Sequence, residues 1–464
     1  MEQTGFRKKT DANTLTEGSP WKLLLLFSLP LMAGNIFQQM YTMVDTAVVG
    51  KVLGVDALAA LGAVDWLNWL TLGTIQGFAQ GFSILMAQKF GAGEYGKLRQ
   101  VVANSIVLAA LCAIFLTLVS EGAAGAVVSL LRAPEEIRPI SMAYLRILFA
   151  GLPIVMTYNL AAAILRALGN GRQPLIAMVI ASLTNIVLDF LFVMEFHWGV
   201  QGAAIATLIA QCLSAAYCIR YICRIEVLQL KKEDWKLESA LCGRLMTFGL
   251  PMAFQNMVIS VGGMIVQTIV NGFGVTFIAG VTATNKLYGI LEVAATSYGY
   301  AMTTYSGQNL GAGKIRRISQ GMRVGIGIAI ATSLLITAVM LSGGRWILAL
   351  FLPESSAQSM EALDVAYRYL AVMSVCLPVL YILHITRSCI QGLGNTVLPM
   401  ASGIAEFVMR TGAALLLPLM FGENGILFAE ILAWLGADMI LIPSYFYVAR
   451  RLPGFSGLSQ ETSG

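Results

Sequence analysis

Residues 23–44 read LLLLFSLPLMAGNIFQQMYTMV and contain no Asp, Glu, Lys or Arg. About 20 apolar residues in a helix cross the hydrocarbon core of a bilayer, so this run predicts a membrane-spanning helix. The whole chain shares this character. Of its 464 residues, 57% are hydrophobic and 12% are charged, whereas about 25% of the residues in a soluble domain are charged. The composition excludes a water-exposed globule and predicts an all-α polytopic membrane protein.

Similar apolar runs, separated by short charged loops, predict twelve transmembrane helices. Their expected ranges are 21–50, 54–87, 98–121, 138–166, 173–196, 199–223, 243–271, 275–308, 318–342, 364–391, 397–420 and 424–449. Most of the 30 Lys and Arg residues fall in alternate loops, together with the two ends of the chain. The positive-inside rule therefore predicts a multi-pass protein of the cell membrane with both termini in the cytoplasm.

The two halves of the chain repeat each other. Phe27-Ser-Leu-Pro30 recurs as Phe248-Gly-Leu-Pro251, and Gln88-Lys-Phe-Gly-Ala-Gly93 recurs as Gln308-Asn-Leu-Gly-Ala-Gly313. We predict two parallel six-helix repeats around a central cavity, an architecture of transporters, with an inert duplicated bundle as the alternative. The predicted segments are a cytoplasmic N-terminal segment (1–20), an N-lobe (21–223), a cytoplasmic linker (224–242), a C-lobe (243–449) and a cytoplasmic tail (450–464).

Several function classes lack their sequence signals. No Gly-x-x-x-x-Gly-Lys-Ser/Thr motif occurs, so no ATP hydrolysis is expected, and the two Gly-Ala-Gly elements are interpreted as tight turns. The basic residues are scattered, which argues against nucleic-acid binding. Seven cysteines without a Cys-x-x-Cys spacing predict no structural metal site. His197 and His384 accompany no catalytic motif, so neither an enzyme nor a cofactor is expected.

Ionisable residues inside spans are costly and are therefore candidates for function. At a rise of about 1.5 Å per residue, Asp45, Asp189 and Thr207 all reach the outer half of the bilayer. Asn185 lies four residues before Asp189 on the same helix face. Two carboxylates, an amide and a hydroxyl at one depth predict either a Na+ site or a carboxyl pair that shares a proton. For Asp45, a capping or solvated position at the end of its helix is the alternative.

The second repeat lacks these residues. At an offset of 223 to 225 positions, Arg410 replaces Asn185 and Glu430 replaces Thr207. Glu406 precedes Arg410 by one helical turn, so Glu406, Arg410 and Glu430 predict a cluster that neutralises its own charge.

The motifs Val44-Asp45-Thr46, Asn185-Ile-Val-Leu-Asp189 and Gly202-Ala-Ala-Ile-Ala-Thr207, with paired Leu-Gly-Asn loops, resemble the multidrug and toxic compound extrusion (MATE) family. The resemblance implies a prokaryotic-type antiporter that exports cationic or amphipathic drugs by alternating access, in exchange for inward H+ or Na+. It also implies that Asp45, Asn185, Asp189 and Thr207 form a cation site in the N-lobe, and that Pro30 allows the first helix to bend. One branch of the family carries a further acid on the seventh helix. Here no acid occurs between Arg244 and Glu292, so no such C-lobe site is expected.

Other predictions concern Pro30, the substrate and the partners. A proline inside a helix also kinks it for purely structural reasons, which is the competing interpretation of Pro30. Adaptable or cation-attracting side chains are candidates for the substrate cavity, although many such residues in any bundle face lipid. They are Phe37, Met40, Tyr41, Asp65, Met257, Met264, Tyr288, Glu292, Tyr298, Tyr305 and His384. The expected partners are organic cations and lipid, and the expected oligomeric state is a monomer.

The alternative function is a flippase for lipid-linked oligosaccharides, a related superfamily whose anionic cargo calls for basic cavity residues. The basic residues that we expect inside the membrane part of the spans, rather than at their ends, are only Arg146, Lys286, Arg387 and Arg410, which disfavours it.

Overall fold

The computed structural model describes residues 14–130, 137–350 and 357–452, and these ranges are almost entirely helical. In the first half the α-helices are α1 (Pro20–Leu53), α2 (Val55–Gly91), α3 (Tyr95–Leu130), α4 (Arg138–Ala150), α5 (Leu152–Ala167), α6 (Arg172–Asp189) and α7 (Gly199–Ile222). In the second half they are α8 (Ser239–Val270), α9 (Val275–Gly311), α10 (Ile315–Ala349), α11 (Ala357–Val375), α12 (Leu377–Gly392), α13 (Val397–Phe421) and α14 (Ala429–Arg450).

Shorter helical turns extend three of the connections. A π-helix, Phe190–Glu195, continues α6, and a 3-10 helix, Gly422–Phe428, precedes α14. Two further 3-10 turns, Glu226–Leu228 and Lys232–Trp235, lie between α7 and α8.

Two of the predicted helices are each broken into a bent pair. Helices α4 and α5 meet at an angle of 47°, and α11 and α12 at 50°. Pro153 and Pro378 each lie in the first turn of the second helix, where a backbone N–H has no partner within that helix. Because proline has no N–H to donate to the preceding turn, it prevents the first helix of the pair from continuing. Counting each bent pair once, the described helices form twelve segments, as predicted, although 138–166 and 364–391 were wrongly expected to be continuous.

Length and hydropathy support membrane insertion. Among the described residues, seven helical segments are long and apolar enough to cross a membrane, or nine if each bent pair is one span. One of these, Val397–Arg450, contains both α13 and α14, and the 37-residue helices α2 and α9 are not among them. Large apolar side chains such as Leu118, Leu335 and Leu419 are more than half exposed, as expected for helix faces that contact lipid.

The chain divides into two compact units. Unit 1 contains Leu29–Ala253, Gly307–Gly313 and the described residues before Gly18. Unit 2 contains Gly18–Ser28, Phe254–Ser306 and the described residues from Lys314 onward. The division falls inside α1, α8 and α9. In α1 and α8 it lies within three residues of Pro30 and Pro251 respectively, the two prolines that the repeat pairs.

Each unit has its own buried core. In unit 1, Phe82, Met86, Leu145, Phe149 and Leu165 are almost completely buried in a cluster built mainly by α2, α3, α4 and α5. In unit 2, Trp434 and Tyr381 are among the largest buried side chains. The two Gly-Ala-Gly elements are turns, as predicted, because Gly93 and Gly313 have φ values of +70° and +69°, which favour glycine.

Candidate cation site

Helices α1 and α6 pack in parallel, and their register brings Asp45 and Asp189 to one level. A Cβ on Gly34 would lie 3.5 Å from the Cα of Leu175, and the Ser182 hydroxyl lies 3.3 Å from the carbonyl oxygen of Phe37, to which it donates. Asp45 follows Phe37 by eight residues, and Asp189 follows Ser182 by seven. At about 1.5 Å per residue both carboxyl groups lie roughly 10–12 Å beyond this contact.

Helices α6 and α7 bring Asn185 and Thr207 into direct contact. The side-chain amide of Asn185 donates to the hydroxyl of Thr207 at 3.3 Å, and that hydroxyl lies 3.1 Å from the carbonyl oxygen of Ala203, to which it donates. The close approach depends on a small residue, because a Cβ on Gly202 would lie 3.1 Å from the Cβ of Phe192. The Gly202–Thr207 motif is thus needed for packing as well as for its hydroxyl.

Asp189 lies where α6 changes into the π-helix. Its side chain is 0% exposed and that of Asn185 is 1% exposed. A π-helical turn is rare in proteins and is frequent at functional sites. An apolar cluster lies beside the carboxylates and includes Val48 and Val49, the next turn of α1 after Asp45, together with Val193 of the π-helix. This surrounding keeps the local dielectric low and strengthens any interaction of a cation with the carboxylates.

The site is rich in oxygen atoms that receive no hydrogen bond. Within the described ranges, Oδ1 of Asp45, Oδ1 of Asn185, both carboxylate oxygens of Asp189 and Oε1 of Gln211 are buried without a hydrogen-bond donor. A buried acceptor left unpaired costs about 1–3 kcal/mol. Neither aspartate forms an ion pair with a described Lys, Arg or His, so a cation or a proton is the species that would satisfy these atoms.

Two residues join the site that sequence reasoning missed. Tyr144 on α4 is half-buried against the apolar cluster beside the carboxylates. Asp45, Asp65, Tyr41 and Asp189 act on it electrostatically. Gln211 lies beside the Tyr41 hydroxyl, which also faces Asp45. Gln211 follows Thr207 by one helical turn and so shares its face, a signal that was present in the sequence. The position of Tyr144 depends on how α4 packs against α7, and the sequence of α4 alone does not reveal that contact. Tyr41 and Asp65, predicted for the substrate cavity, are thus neighbours of the cation site.

The remaining cavity candidates divide into two groups. Phe37, Met40 and Met257 expose more than a third of their surface, while Met264, Tyr288, Glu292 and His384 are partly buried. Glu292 and His384 pair with each other, with Oε1 and Nε2 3.5 Å apart.

Tyr298 and Tyr305, in contrast, belong to the core of unit 2. The hydroxyl of Tyr298 hydrogen-bonds with that of Thr332 at 2.9 Å, and the hydroxyl of Tyr305 donates to the carbonyl of Arg317 at 2.9 Å. Gly321 leaves the space that the Tyr305 ring occupies, since a Cβ there would lie 2.1 Å from a ring carbon. The structure therefore does not place these two side chains at an open surface.

The predicted charge cluster of the second repeat forms within unit 2. Arg410 pairs with Glu406 at 2.9 Å and with Glu430 at 2.8 Å. Arg387, on α12, joins it through Glu406 at 2.7 Å.

A repeated, all-helical membrane fold is an architecture of membrane transporters, and buried carboxylates inside such a fold are typical of their ion sites. The chain belongs to the MatE family, the multidrug and toxic compound extrusion (MATE) family, whose sequence model matches residues 30–191 and 251–415. Members of this family are multi-pass membrane transporters rather than enzymes.

Among proteins of known name, the chain is similar to the probable multidrug resistance protein YpnP of Bacillus subtilis (strain 168). The two are 28% identical over 424 residues, which cover 89% of this chain and 92% of YpnP. It is also 28% identical over 362 residues to the probable multidrug resistance protein YoeA of the same organism, covering 76% of this chain and 77% of YoeA.

The fold matches solved MATE structures. One, described as the crystal structure of MATE in complex with MaL6, has a TM-score of 0.88 at 22% sequence identity and covers 97% of this chain and 100% of that chain. The shared fold has twelve helices in two lobes.

Proposed function

We propose that this chain is a secondary active exporter of cationic or amphipathic organic compounds, which exchanges them for inward H+ or Na+ by alternating access. The observation that carries the proposal is the set of buried oxygen atoms around Asp45, Asn185 and Asp189 that receive no hydrogen bond. An ionised pair of carboxylates without a basic partner favours uptake of a positive charge from the outside, where the gradient supplies it.

The names of the relatives support the choice of cargo. Both relatives from Bacillus subtilis are named as probable multidrug resistance proteins. We extend this cargo class to the present chain, and place the exporter in the cell membrane with both termini in the cytoplasm, on the distribution of its basic residues. The flippase alternative gains no support from the family match or from these names.

The site residues have distinct proposed roles. Asp189 and Asp45 bind the coupling ion, or share a proton, and Asn185 and Thr207 supply further oxygen atoms. Tyr144 and Gln211 line the same site and hold its geometry. Pro30, near the point where α1 passes from one unit to the other, provides the place at which α1 bends when the site changes its charge.

Reconstitution into proteoliposomes tests the proposal. A pH gradient and a Na+ gradient are imposed separately, and transport of ethidium against its own gradient is followed by fluorescence. We expect one of the two gradients to drive transport and the other to have little effect. Transport that is independent of both gradients would contradict an antiporter.

A matched pair of variants then tests the site. Asp189→Asn removes the charge at the centre of the site, and Glu195→Gln removes one at the exposed end of the same helical segment. We expect gradient-driven transport to be lost in the first variant and kept in the second.

A further inference from the structure

A second row of buried charges lies in unit 2 and is not used by the proposed cation site. It consists of four side chains whose charges alternate in sign: Glu430, Arg410, Glu406 and Arg387. Arg410 pairs with Glu430 at 2.8 Å and with Glu406 at 2.9 Å, and Glu406 pairs with Arg387 at 2.7 Å. The row runs across three helices, since Arg387 belongs to α12, Glu406 and Arg410 to α13, and Glu430 to α14. All three guanidinium nitrogens of Arg410 donate hydrogen bonds, because Nη1, the one that contacts neither glutamate, donates to the carbonyl of Ile259 at 3.3 Å. Two positive and two negative charges make this row neutral.

Asp438 adds a fifth charged group with no ion pair of its own. It lies on α14, two turns beyond Glu430, and is 7% exposed. Its Oδ1 atom has no hydrogen-bond partner among the described residues. Arg387 and Glu406 are the charged groups that act on it electrostatically. The Nε atom of Arg387 is also buried without a partner in the same part of the protein.

The charges around Asp438 decide which form of the carboxyl group fits. Arg387 on α12 and Glu406 on α13 act on Asp438 directly. Glu406 in turn pairs with Arg410, and Arg410 with Glu430 on α14. One turn before Arg387, His384 lies 3.5 Å from Glu292 of α9. Because Arg387 and Arg410 are already committed to Glu406 and Glu430, an ionised Asp438 would be a buried anion without a counter-ion, which is strongly unfavourable. A protonated Asp438 leaves the row of Glu430, Arg410, Glu406 and Arg387 neutral.

A metal cation fits this region less well than a proton. Among the residues of the described ranges, no group of three or more His, Cys, Asp or Glu side chains is arranged to hold a metal ion. A cation near Asp438 would also meet the guanidinium of Arg387.

We propose that Asp438 is a proton-binding residue and that Arg387 is its exchangeable counter-ion. With the proton bound, Asp438 is neutral and Arg387 pairs with Glu406, as observed. When the proton leaves to water, the carboxylate attracts the Arg387 guanidinium, whose Nε–H has no acceptor in the present arrangement. Arg387 of α12 then exchanges its ion pair with Glu406 of α13 for one with Asp438 of α14. Binding or release of the proton therefore determines which helix is ion-paired with α12. This inference concerns other residues than the proposed cation site and holds whichever ion drives export.

Infrared difference spectroscopy on the full purified chain in detergent tests the proposal without transport. A pH titration of the wild-type protein should show a band of a buried protonated carboxyl that disappears as the pH rises. The band should be absent in Asp438→Asn, shifted in Asp438→Glu and unchanged in Glu195→Gln. A wild-type spectrum identical to that of Asp438→Asn would overturn the proposal, and so would loss of the band on addition of Na+ at constant pH.

A second variant tests the counter-ion. In Arg387→Gln the carboxylate loses the cation that stabilises it, so we expect the Asp438 band to disappear at a higher pH. The proton concentration at the midpoint of the titration should be at least tenfold lower than in the wild type. A midpoint unchanged from that of the wild type would show that Arg387 does not act on Asp438. Because Asp45 and Asp189 are intact in these variants, inactivity of Asp189→Asn and loss of the Asp438 band are separate outcomes, and either proposal can fail alone.

Discussion

Gly311 lies against the backbone of Gln88: a Cβ added to Gly311 would be 1.9 Å from the Gln88 carbonyl oxygen. Gly91 lies in the same way against Gln308, where a Cβ would be 2.0 Å from the carbonyl oxygen. Gln88 and Gly91 correspond in the repeat to Gln308 and Gly311, so the contact between the ends of α2 and α9 is reciprocal. The first glycine of each Gly-Ala-Gly element permits this contact, and the last one forms the turn.

Replacing the first glycine should therefore destabilise unit 1. In Gly311→Ala the added methyl group meets a backbone oxygen that cannot rotate away, so the helix ends must separate, at an expected cost of about 1–3 kcal/mol. Thermal unfolding of the purified protein in detergent measures this as a lower midpoint.

Gly122→Ala is the matched control within unit 1, because nothing lies within 4 Å of its added Cβ. There alanine should leave the midpoint unchanged or raise it, since glycine inside a helix is less favourable by roughly 0.5–1 kcal/mol. Equal midpoints for Gly311→Ala and Gly122→Ala would show that the contact does not constrain the fold.

Asp189→Asn should separate activity from stability. The side chain keeps its shape but loses a buried charge whose two oxygens receive no hydrogen bond. We expect efflux of ethidium from cells to fall at least tenfold, and the unfolding midpoint to stay the same or rise. Undiminished efflux would remove Asp189 from the site, and a strongly lowered midpoint would indicate a structural role instead.

A bulky residue at position 202 should disturb the site without touching its polar groups. A Cβ on Gly202 would already lie 3.1 Å from the Cβ of Phe192, so Gly202→Leu must push α7 away from the π-helix. The contact between Asn185 and Thr207 is then expected to lengthen and coupled transport to fall several-fold. Transport by Gly125→Leu, at an open position on α3, should be unaffected. Similar activity of the two variants would argue against the packing role of Gly202.

The sequence predicted the helices better than it predicted the details of the site. Runs without charge define where a chain can cross a bilayer, and the described ranges contain twelve helical segments when each bent pair is counted once. The breaks at Gly151 and Cys376 lie within apolar runs, so hydropathy contained no sign of them. The burial of Tyr305 depends on Gly321, a distant residue on α10, and a periodicity within one helix cannot reveal such a partner. The positions of Asp45 and Asp189 at one level could be predicted, because depth along a helix depends only on residue count.

Pro30 and Pro251 allow a test of whether α1 bends for function or is merely kinked. Each lies within three residues of the point where its helix passes between units, and each deprives the preceding turn of a hydrogen bond. Replacement by alanine restores that bond and should raise the unfolding midpoint. If α1 must bend when the site binds its ion, Pro30→Ala should also lower transport several-fold, whereas Pro443→Ala, inside α14 and within unit 2, should not. Transport by Pro30→Ala at the wild-type rate, together with a raised midpoint, would leave only the structural kink. Because the coupling residues lie on α1 and not on α8, we expect Pro251→Ala to lower transport less than Pro30→Ala does.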